Sequence, residues 1–187
     1  SYASNETISV LSFNLWNYFV EGDKSKPEKN ETSRNAVAET IVSAQPDIIM
    51  ISEIGGKNSL KDLRNRLKKK GIDYKYTDLM TGADSWRSLG IIAKFAPETV
   101  DKQTELTYKL RPKKMSPPAM DTVPVQRGFL HVVFKKNEYK LHIISVHLKA
   151  KLFHPRYNHT DMRRLEARLL RYFVDDIMKK DPDANIL

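Results

Sequence analysis

A run of aliphatic residues ends on a carboxylate in PDIIMISE, residues 46–53. A strand that is covered on both faces has such a continuous apolar run, whereas a half-buried strand alternates apolar and polar residues. A carboxylate at a buried strand end carries a desolvation cost unless it is paired or bound to a cation. The stretch therefore predicts a buried strand that ends at Glu53, either as a ligand of a hard divalent ion or as a hydrogen-bonded structural residue.

A second run, ISVLSFNLW at residues 8–16, has the same character and is interrupted by Asn14. Between and after these strands the apolar residues recur at helical spacing. One predicted helix begins near Ser33, with Thr32 or Ser33 as its N-cap, and another begins near Ser59. This alternation of strands and helices predicts an α/β protein.

The rest of the chain continues the alternation, apart from residues 96–124, which contain five prolines and many charges and are expected to be the least regular part. The final residues, 181–187, repeat the pattern that leads into PDIIMISE, so we expect a further buried strand to begin there and the chain to be a truncated protein. The other predicted elements are strands at 74–79, 88–95, 129–134 and 139–146, the last two forming a hairpin about 135–138, and a helix from near Thr160.

His147 ends the strand at 139–146 and is followed by Lys149 and Lys151. A histidine in this position can donate a hydrogen bond or a proton to a phosphate, although a lone histidine is also commonly structural. Arg127 precedes the hairpin and is predicted either to contact phosphate or to form a surface ion pair.

The composition limits the classes of function. The chain has 187 residues, enough for one domain, and 40% of them are hydrophobic, which excludes disordered and collagen-like classes. The 32 basic and 23 acidic side chains give 32 − 23 = +9, which favours a polyanionic partner such as nucleic acid, a phosphorylated substrate or an anionic membrane. The absence of cysteine excludes disulfides, zinc–thiolate sites and cysteine nucleophiles. No apolar run approaches the length of a membrane span.

Taken in order, these segments resemble the endonuclease/exonuclease/phosphatase superfamily, which includes deoxyribonucleases, abasic-site endonucleases, neutral sphingomyelinases and inositol polyphosphate 5-phosphatases. Each segment alone is a weak match, whereas their order and spacing across nearly the whole chain make the resemblance specific. The matching segments are SFNLW (12–16), PDIIMISE (46–53), SLGII (88–92), RG (127–128), SVHLKAK (145–151) and RLEA (164–167).

The resemblance implies a four-layered α/β sandwich of two mixed sheets flanked by helices, formed by a single domain over 1–187. It implies that Glu53 and Asn14 bind Mg²⁺ or Mn²⁺ and that His147 hydrogen-bonds the scissile phosphate. Arg127, Lys149 and Lys151 are the expected phosphate contacts. The implied reaction is in-line attack of an activated water on phosphorus, with the metal stabilising charge on the oxygens.

The chain departs from the family pattern at its C-terminal end. The Gly-Asp-Phe-Asn-type and Ser-Asp-His-type motifs of the family are absent from the sequence. We therefore expect an incomplete second sheet, impaired catalysis in this chain, and a dimer through the exposed sheet.

The predicted function of the parent protein is that of a metal-dependent phosphodiesterase, first of all a nuclease acting on DNA or RNA. The alternatives are a phosphatase or phospholipase of the same superfamily, acting on a small phosphoester or a lipid headgroup, and a non-catalytic binding module. The N-terminal Ser1 and three glycosylation-type tripeptides (at Asn5, Asn30 and Asn158) favour a secreted protein.

Overall fold

The structure is a computed structural model and describes residues 7–24, 27–114, 119–136 and 139–187. The chain divides into two compact units. The first unit contains the residues up to Met80 together with Ser85–Ala96, and the second contains Thr81–Asp84 and Pro97–Leu187. The prediction of a single domain over 1–187 stays a prediction.

The first unit is a mixed four-stranded sheet with two helices. Its strands lie in the order β1-β2-β4-β3, with β1 and β2 parallel and the other pairs antiparallel. The central strand β4 is buried at every residue, as is most of β2, which explains their continuous apolar sequences. Both helices pack apolar side chains against this sheet. The elements are β1 (Val10–Tyr18), α1 (Glu31–Ala44), β2 (Ile48–Ile54), α2 (Lys57–Lys69), β3 (Tyr76–Met80) and β4 (Ser88–Ala93).

The second unit contains a mixed four-stranded sheet, a two-stranded sheet and one long helix. The larger sheet has the order β10-β9-β8-β5, with β10 parallel to β9, and the smaller sheet pairs β6 with β7. Met162 and Phe173 of the helix pack against Tyr108, Val123 and Phe129 of the sheets. The elements are β5 (Thr99–Gln103), β6 (Thr107–Leu110), β7 (Asp121–Pro124), β8 (Phe129–Lys136), β9 (Tyr139–Val146), α3 (His159–Lys180) and β10 (Asn185–Ile186).

The two mixed sheets with their helices confirm the predicted α/β class. Residues 96–124, which we expected to be the least regular part, contain three short strands that the sequence analysis did not predict. Only β6 alternates exposed and buried residues, β7 has one buried residue and β5 has none, so these strands leave no long apolar run in the sequence.

The predicted start of the first helix was wrong. Its N-cap is Asn30, whose side-chain oxygen accepts a hydrogen bond from the Ser33 backbone N–H at 2.8 Å. The second helix begins at Lys57 rather than at Ser59.

The turn of the hairpin includes residues 137–138, which lie outside the described residues. In the described part of the chain, no helix has the length and apolar character that crossing a membrane requires.

Candidate functional site

Asn14 and Glu53 lie where the ladder between β1 and β2 is interrupted. Asn14 pairs with Ser52, and the next paired residues are Tyr18 and Ile54, so three residues of β1 lie opposite Glu53 alone. The register between β2 and β4 also shifts at Glu53. A bulge of this kind re-aims side chains and is frequent next to active sites.

The backbone of this bulge adopts a conformation that side chains disfavour. Trp16, Asn17 and Glu53 have φ values of 45°, 57° and 58°, in the left-handed region. A non-glycine residue held there costs on the order of 1–3 kcal/mol, and such residues cluster at functional sites. Three of the four described non-glycine residues with positive φ therefore lie at one point of the fold.

Hydrogen bonds join these residues into one group. The Asn14 side-chain amide donates to Glu53 Oε1 at 3.2 Å, and the Asn17 N–H donates to Glu53 Oε2 at 3.2 Å. Asn14 Oδ1 accepts from the Trp16 N–H at 2.8 Å. Arg87 Nε donates to Asn17 Oδ1 at 2.8 Å and lies 4.0 Å from Glu53 Oε2. We call the set of Asn14, Asn17, Glu53 and Arg87 the Glu53 cluster.

The donor set of the Glu53 cluster fits a divalent cation of the Mg²⁺ type. Glu53 supplies carboxylate oxygens, the type of ligand that Mg²⁺ prefers in proteins. Mg²⁺ typically binds through one or two protein carboxylates and completes its shell with water and substrate phosphate oxygens. Among the described residues, no three histidine or acidic side chains converge as a ready-made metal cage. Glu53, with the Asn14 side chain hydrogen-bonded to it, therefore suits a water-rich site with few protein ligands.

A buried acid holds the loop that carries the predicted residues His147 and Lys149. His147 and Lys149 follow β9 and are half-buried. Glu166 of α3 is 1% exposed, and its Oε2 accepts a hydrogen bond from the Lys149 N–H at 2.6 Å. Arg163 Nη1 donates to the Lys149 carbonyl oxygen at 2.6 Å. Both polar groups of the Lys149 backbone are thus held by α3, an arrangement that we call the Glu166 network.

Burial raises the pKa of Glu166, although backbone N–H groups of Lys149 and Gln126 and the charge of Arg127 favour its ionised form. The carboxylate therefore balances a desolvation cost against several local donors. We therefore interpret Glu166 as a structural group that fixes the loop after His147.

Arg127 is 8% exposed, and its Nη2 pairs with Asp84 Oδ2 at 2.9 Å. Its Nε and Nη1 are buried without a hydrogen-bond acceptor among the described residues. The loop that carries Asp84 approaches closely: a Cβ on Gly82 would lie 2.8 Å from the backbone of Gln126 and Arg127. The arginine thus has a structural partner, and its predicted contact with phosphate stays a prediction.

The structure brings Asn14 and Glu53 together, as the sequence suggested, and adds residues that the sequence analysis missed. Asn17 and Arg87 join the Glu53 cluster through tertiary contacts. Glu166 had a detectable signal, since it lies four residues after Met162 on the buried side of α3. Lys151 is exposed on the loop after β9.

Comparison with known proteins gives structural matches only. No protein-family model matches the chain, and no curated protein matches it. An endonuclease/exonuclease/phosphatase family protein from Leptotrichia buccalis superposes with a TM-score of 0.53 at 15% identity, over 88% of this chain and 61% of that chain. TDP2 from Caenorhabditis elegans gives a TM-score of 0.58 at 14% identity, over 96% and 45%. A β-hairpin deletion mutant of beta toxin from Staphylococcus aureus gives 0.57 at 14% identity, over 94% and 62%.

The chain therefore spans about half to three-fifths of the length of these structures. At this level of identity the likeness concerns the fold, and it agrees with the resemblance drawn from the sequence motifs. The protein therefore shares its fold with the endonuclease/exonuclease/phosphatase family protein, TDP2 and beta toxin.

Proposed function

We propose that this protein is a divalent-metal-dependent phosphodiesterase. The observation that carries the proposal is the Glu53 cluster. Its carboxylate is hydrogen-bonded to the Asn14 amide at the point where the ladder between β1 and β2 is interrupted and the backbone is strained. It lies in a fold shared with endonuclease/exonuclease/phosphatase family proteins. Strain of this kind persists only where the surrounding structure holds it, which favours a functional role over a mere strand end.

The roles that we assign follow from the contacts of each residue. Glu53 and Asn14 would hold Mg²⁺ or Mn²⁺, which supplies positive charge to stabilise phosphoryl oxygens when bound. Asn17 and Arg87 would fix the orientation of the Glu53 carboxylate. In the second unit, His147 would donate a hydrogen bond to a phosphate oxygen, and Lys149 and Lys151 would supply positive charge for phosphate binding.

The first substrate class that we propose is nucleic acid. The net charge of +9 favours a polyanion, and the segment HLKAK at residues 147–151 places two lysines next to His147. A lipid headgroup phosphodiester is the second candidate, because Leu152 and Phe153 are exposed directly after these lysines.

The test is hydrolysis of plasmid DNA, of phosphatidylcholine vesicles and of a chromogenic phosphodiester, each with Mg²⁺ and with excess chelator. It is run on the 187-residue chain and on the full-length gene product. The variant is Glu53→Gln, and its matched control is Glu39→Gln, which makes the same change on an exposed residue of α1. We expect chelator-sensitive hydrolysis that falls by at least about 100-fold in Glu53→Gln and is unchanged in Glu39→Gln, since loss of an electrostatic contact to the reacting group typically costs that much.

Cleavage of vesicle lipid with intact plasmid DNA would reject the nuclease proposal and keep the phosphodiesterase proposal. Equal activity of Glu53→Gln and the unsubstituted protein would reject Glu53 as part of the catalytic site. Absence of hydrolysis of all three substrates in the full-length product would reject the enzyme and favour a binding module.

A further inference from the structure

The loop between β9 and α3, residues 147–158, exposes two consecutive apolar side chains. Leu152 is 70% exposed and Phe153 is 79% exposed. Single exposed apolar residues are ordinary on protein surfaces. Two adjacent exposed apolar residues in one loop instead indicate a surface that binds another apolar surface. We call Leu152 and Phe153 the apolar tip.

The apolar tip is presented by a network of hydrogen bonds. The Lys113 N–H donates to the Arg156 carbonyl oxygen at 2.9 Å, and Lys113 Nζ donates to the His154 carbonyl oxygen at 2.8 Å. His154 Nδ1 accepts from the Tyr157 N–H at 3.1 Å, and the two rings stack with centroids 5.1 Å apart. These hydrogen bonds therefore fix the residues on the C-terminal side of the apolar tip, which lies on an ordered turn.

The two segments that form this turn are rich in positive charge. Residues 111–114 and 147–158 contain six lysines and arginines and no acidic residue. Asp121 pairs with Arg156 at 2.7 Å, which leaves five cations in these two segments besides that pair. Burial, with repulsion from Lys149 and Lys113, lowers the pKa of His154, which agrees with a positive local potential. The five are Arg111, Lys113, Lys114, Lys149 and Lys151.

We infer that the apolar tip docks the protein on a membrane that contains anionic lipid, with Leu152 and Phe153 in the interfacial layer and the cations of these two segments at the headgroups. This pairing of apolar side chains with lysines is the chemistry of interfacial binding. The docking goes beyond the proposed function and holds whether the hydrolysed phosphodiester is soluble or part of a lipid.

A nucleic-acid strand fits the apolar tip less well. Bases bind such surfaces by stacking on aromatic faces. Lys113 Nζ lies 4.5 Å from the centroid of the Phe153 ring and so occupies one face, and Leu152 has no ring to offer. A lipid surface uses both side chains fully.

The experiment is co-sedimentation of the 187-residue chain with vesicles of phosphatidylcholine, with and without phosphatidylserine. The test variant is Leu152→Ser/Phe153→Ser. The control is Tyr139→Ser, which removes an aromatic side chain of similar exposure, 77%, from the start of β9. Thermal unfolding of each variant checks that the fold is intact, and Phe153→Trp serves as the conservative variant.

We expect binding to the phosphatidylserine vesicles that weakens with added salt and falls at least about tenfold in the double variant, given the transfer free energy of two apolar side chains. Tyr139→Ser and Phe153→Trp keep the binding. The inference is overturned by equal vesicle binding of the double variant and the parent chain. It is also overturned if the unsubstituted chain does not bind vesicles and the double substitution instead abolishes binding to a single-stranded oligonucleotide. The same holds if the chain does not bind vesicles and the double substitution converts a dimer into a monomer. Because the readout is binding, it is independent of the hydrolysis test for Glu53.

Discussion

Individual side chains in this protein gain their roles from groups far away in the sequence. Glu53 is oriented by donors 36 and 39 residues before it, Asn17 and Asn14. Glu166 reaches back 17 residues to hold the backbone of Lys149. In both cases a carboxylate accepts a backbone or amide N–H that fixes the local chain geometry, so its removal affects more than its own contacts.

Replacement of Glu166 by alanine should destabilise the second unit by about 1–3 kcal/mol, because the Lys149 N–H at 2.6 Å loses its acceptor inside the fold. Glu166→Gln keeps an acceptor oxygen at the same place and avoids the desolvation of a charge. We therefore expect Glu166→Gln to be clearly more stable than Glu166→Ala in urea unfolding at neutral pH.

The two substitutions also separate the acceptor from the charge. Since the folded-state pKa of Glu166 is raised, this residue disfavours the folded state as pH rises above its ordinary value near 4.5. Glu166→Gln should remove that contribution from the pH dependence. Equal stabilities of the alanine and glutamine variants would show that the Glu166 network does not hold Lys149.

At the scale of helices and strands, the first unit is tied together by acidic side chains that contact more than one element. Asp62 of α2 accepts a hydrogen bond from the buried Tyr18 hydroxyl of β1 at 2.6 Å and from Arg66 Nε at 2.8 Å. Asp23, in the loop after β1, accepts from the backbone N–H of Ser59 at 3.0 Å and so caps the N-terminus of α2. A cap from so distant a residue allows α2 to begin at Lys57 without a local capping side chain.

Asp62→Ala should lower the free energy of unfolding by about 1–3 kcal/mol, since it leaves the Tyr18 hydroxyl buried without this acceptor. Although burial raises it, the hydrogen bonds from Arg66 and Tyr18 keep the pKa of Asp62 below its ordinary value. The contribution of Asp62 to the free energy of unfolding is therefore present at neutral pH and is lost as the pH falls through the folded-state pKa.

The measurement is urea unfolding of Asp62→Ala beside Asp73→Ala. Asp73 pairs with Lys75 on the surface, and an exposed pair contributes about 0–1 kcal/mol. A destabilisation of Asp62→Ala no larger than that of Asp73→Ala would contradict the role of Asp62 as a link between α2 and β1.

For the whole molecule, a half-buried histidine pair in the second sheet should make stability depend on pH. His131 Nε2 and His142 Nδ1 are 3.0 Å apart, and Phe173 lies edge-on to the His131 ring. Burial and the neighbouring His142 lower the pKa of His131, while Asp101 opposes the shift. His142 Nε2 lies 4.0 Å from Asp181 Oδ2.

Because the unfolded chain binds a proton at His131 more readily than the folded protein does, stability should fall as the pH drops below the ordinary value near 6.5. We expect the free energy of unfolding to decrease from pH 7.5 to pH 5, and His131→Gln to flatten this decrease. Chemical unfolding at several pH values measures it. The same slope in the parent chain and in His131→Gln would exclude His131 as the source.

The sequence by itself determined the α/β class, the strands at β1, β2, β4, β8 and β9, and the three polar residues at or near strand ends. These features are local. Buried central strands need continuous apolar residues, and polar residues such as Asn14, Glu53 and His147 stand out against them. Their shared role at a phosphoesterase site came from the order of the motifs and remains a proposal.

Only the tertiary structure decided the strands β5 to β7, the capping of α2 by Asp23, and the contacts of Asn17, Arg87 and Glu166. Short, half-exposed strands carry too few residues for a periodic pattern, and pairing with a neighbour creates them. Hydrogen bonds between residues 17 to 70 positions apart depend on how the strands and helices are placed, which no local pattern encodes. The polar residues at the strand ends were therefore readable from the sequence, whereas the network that fixes them required the folded chain.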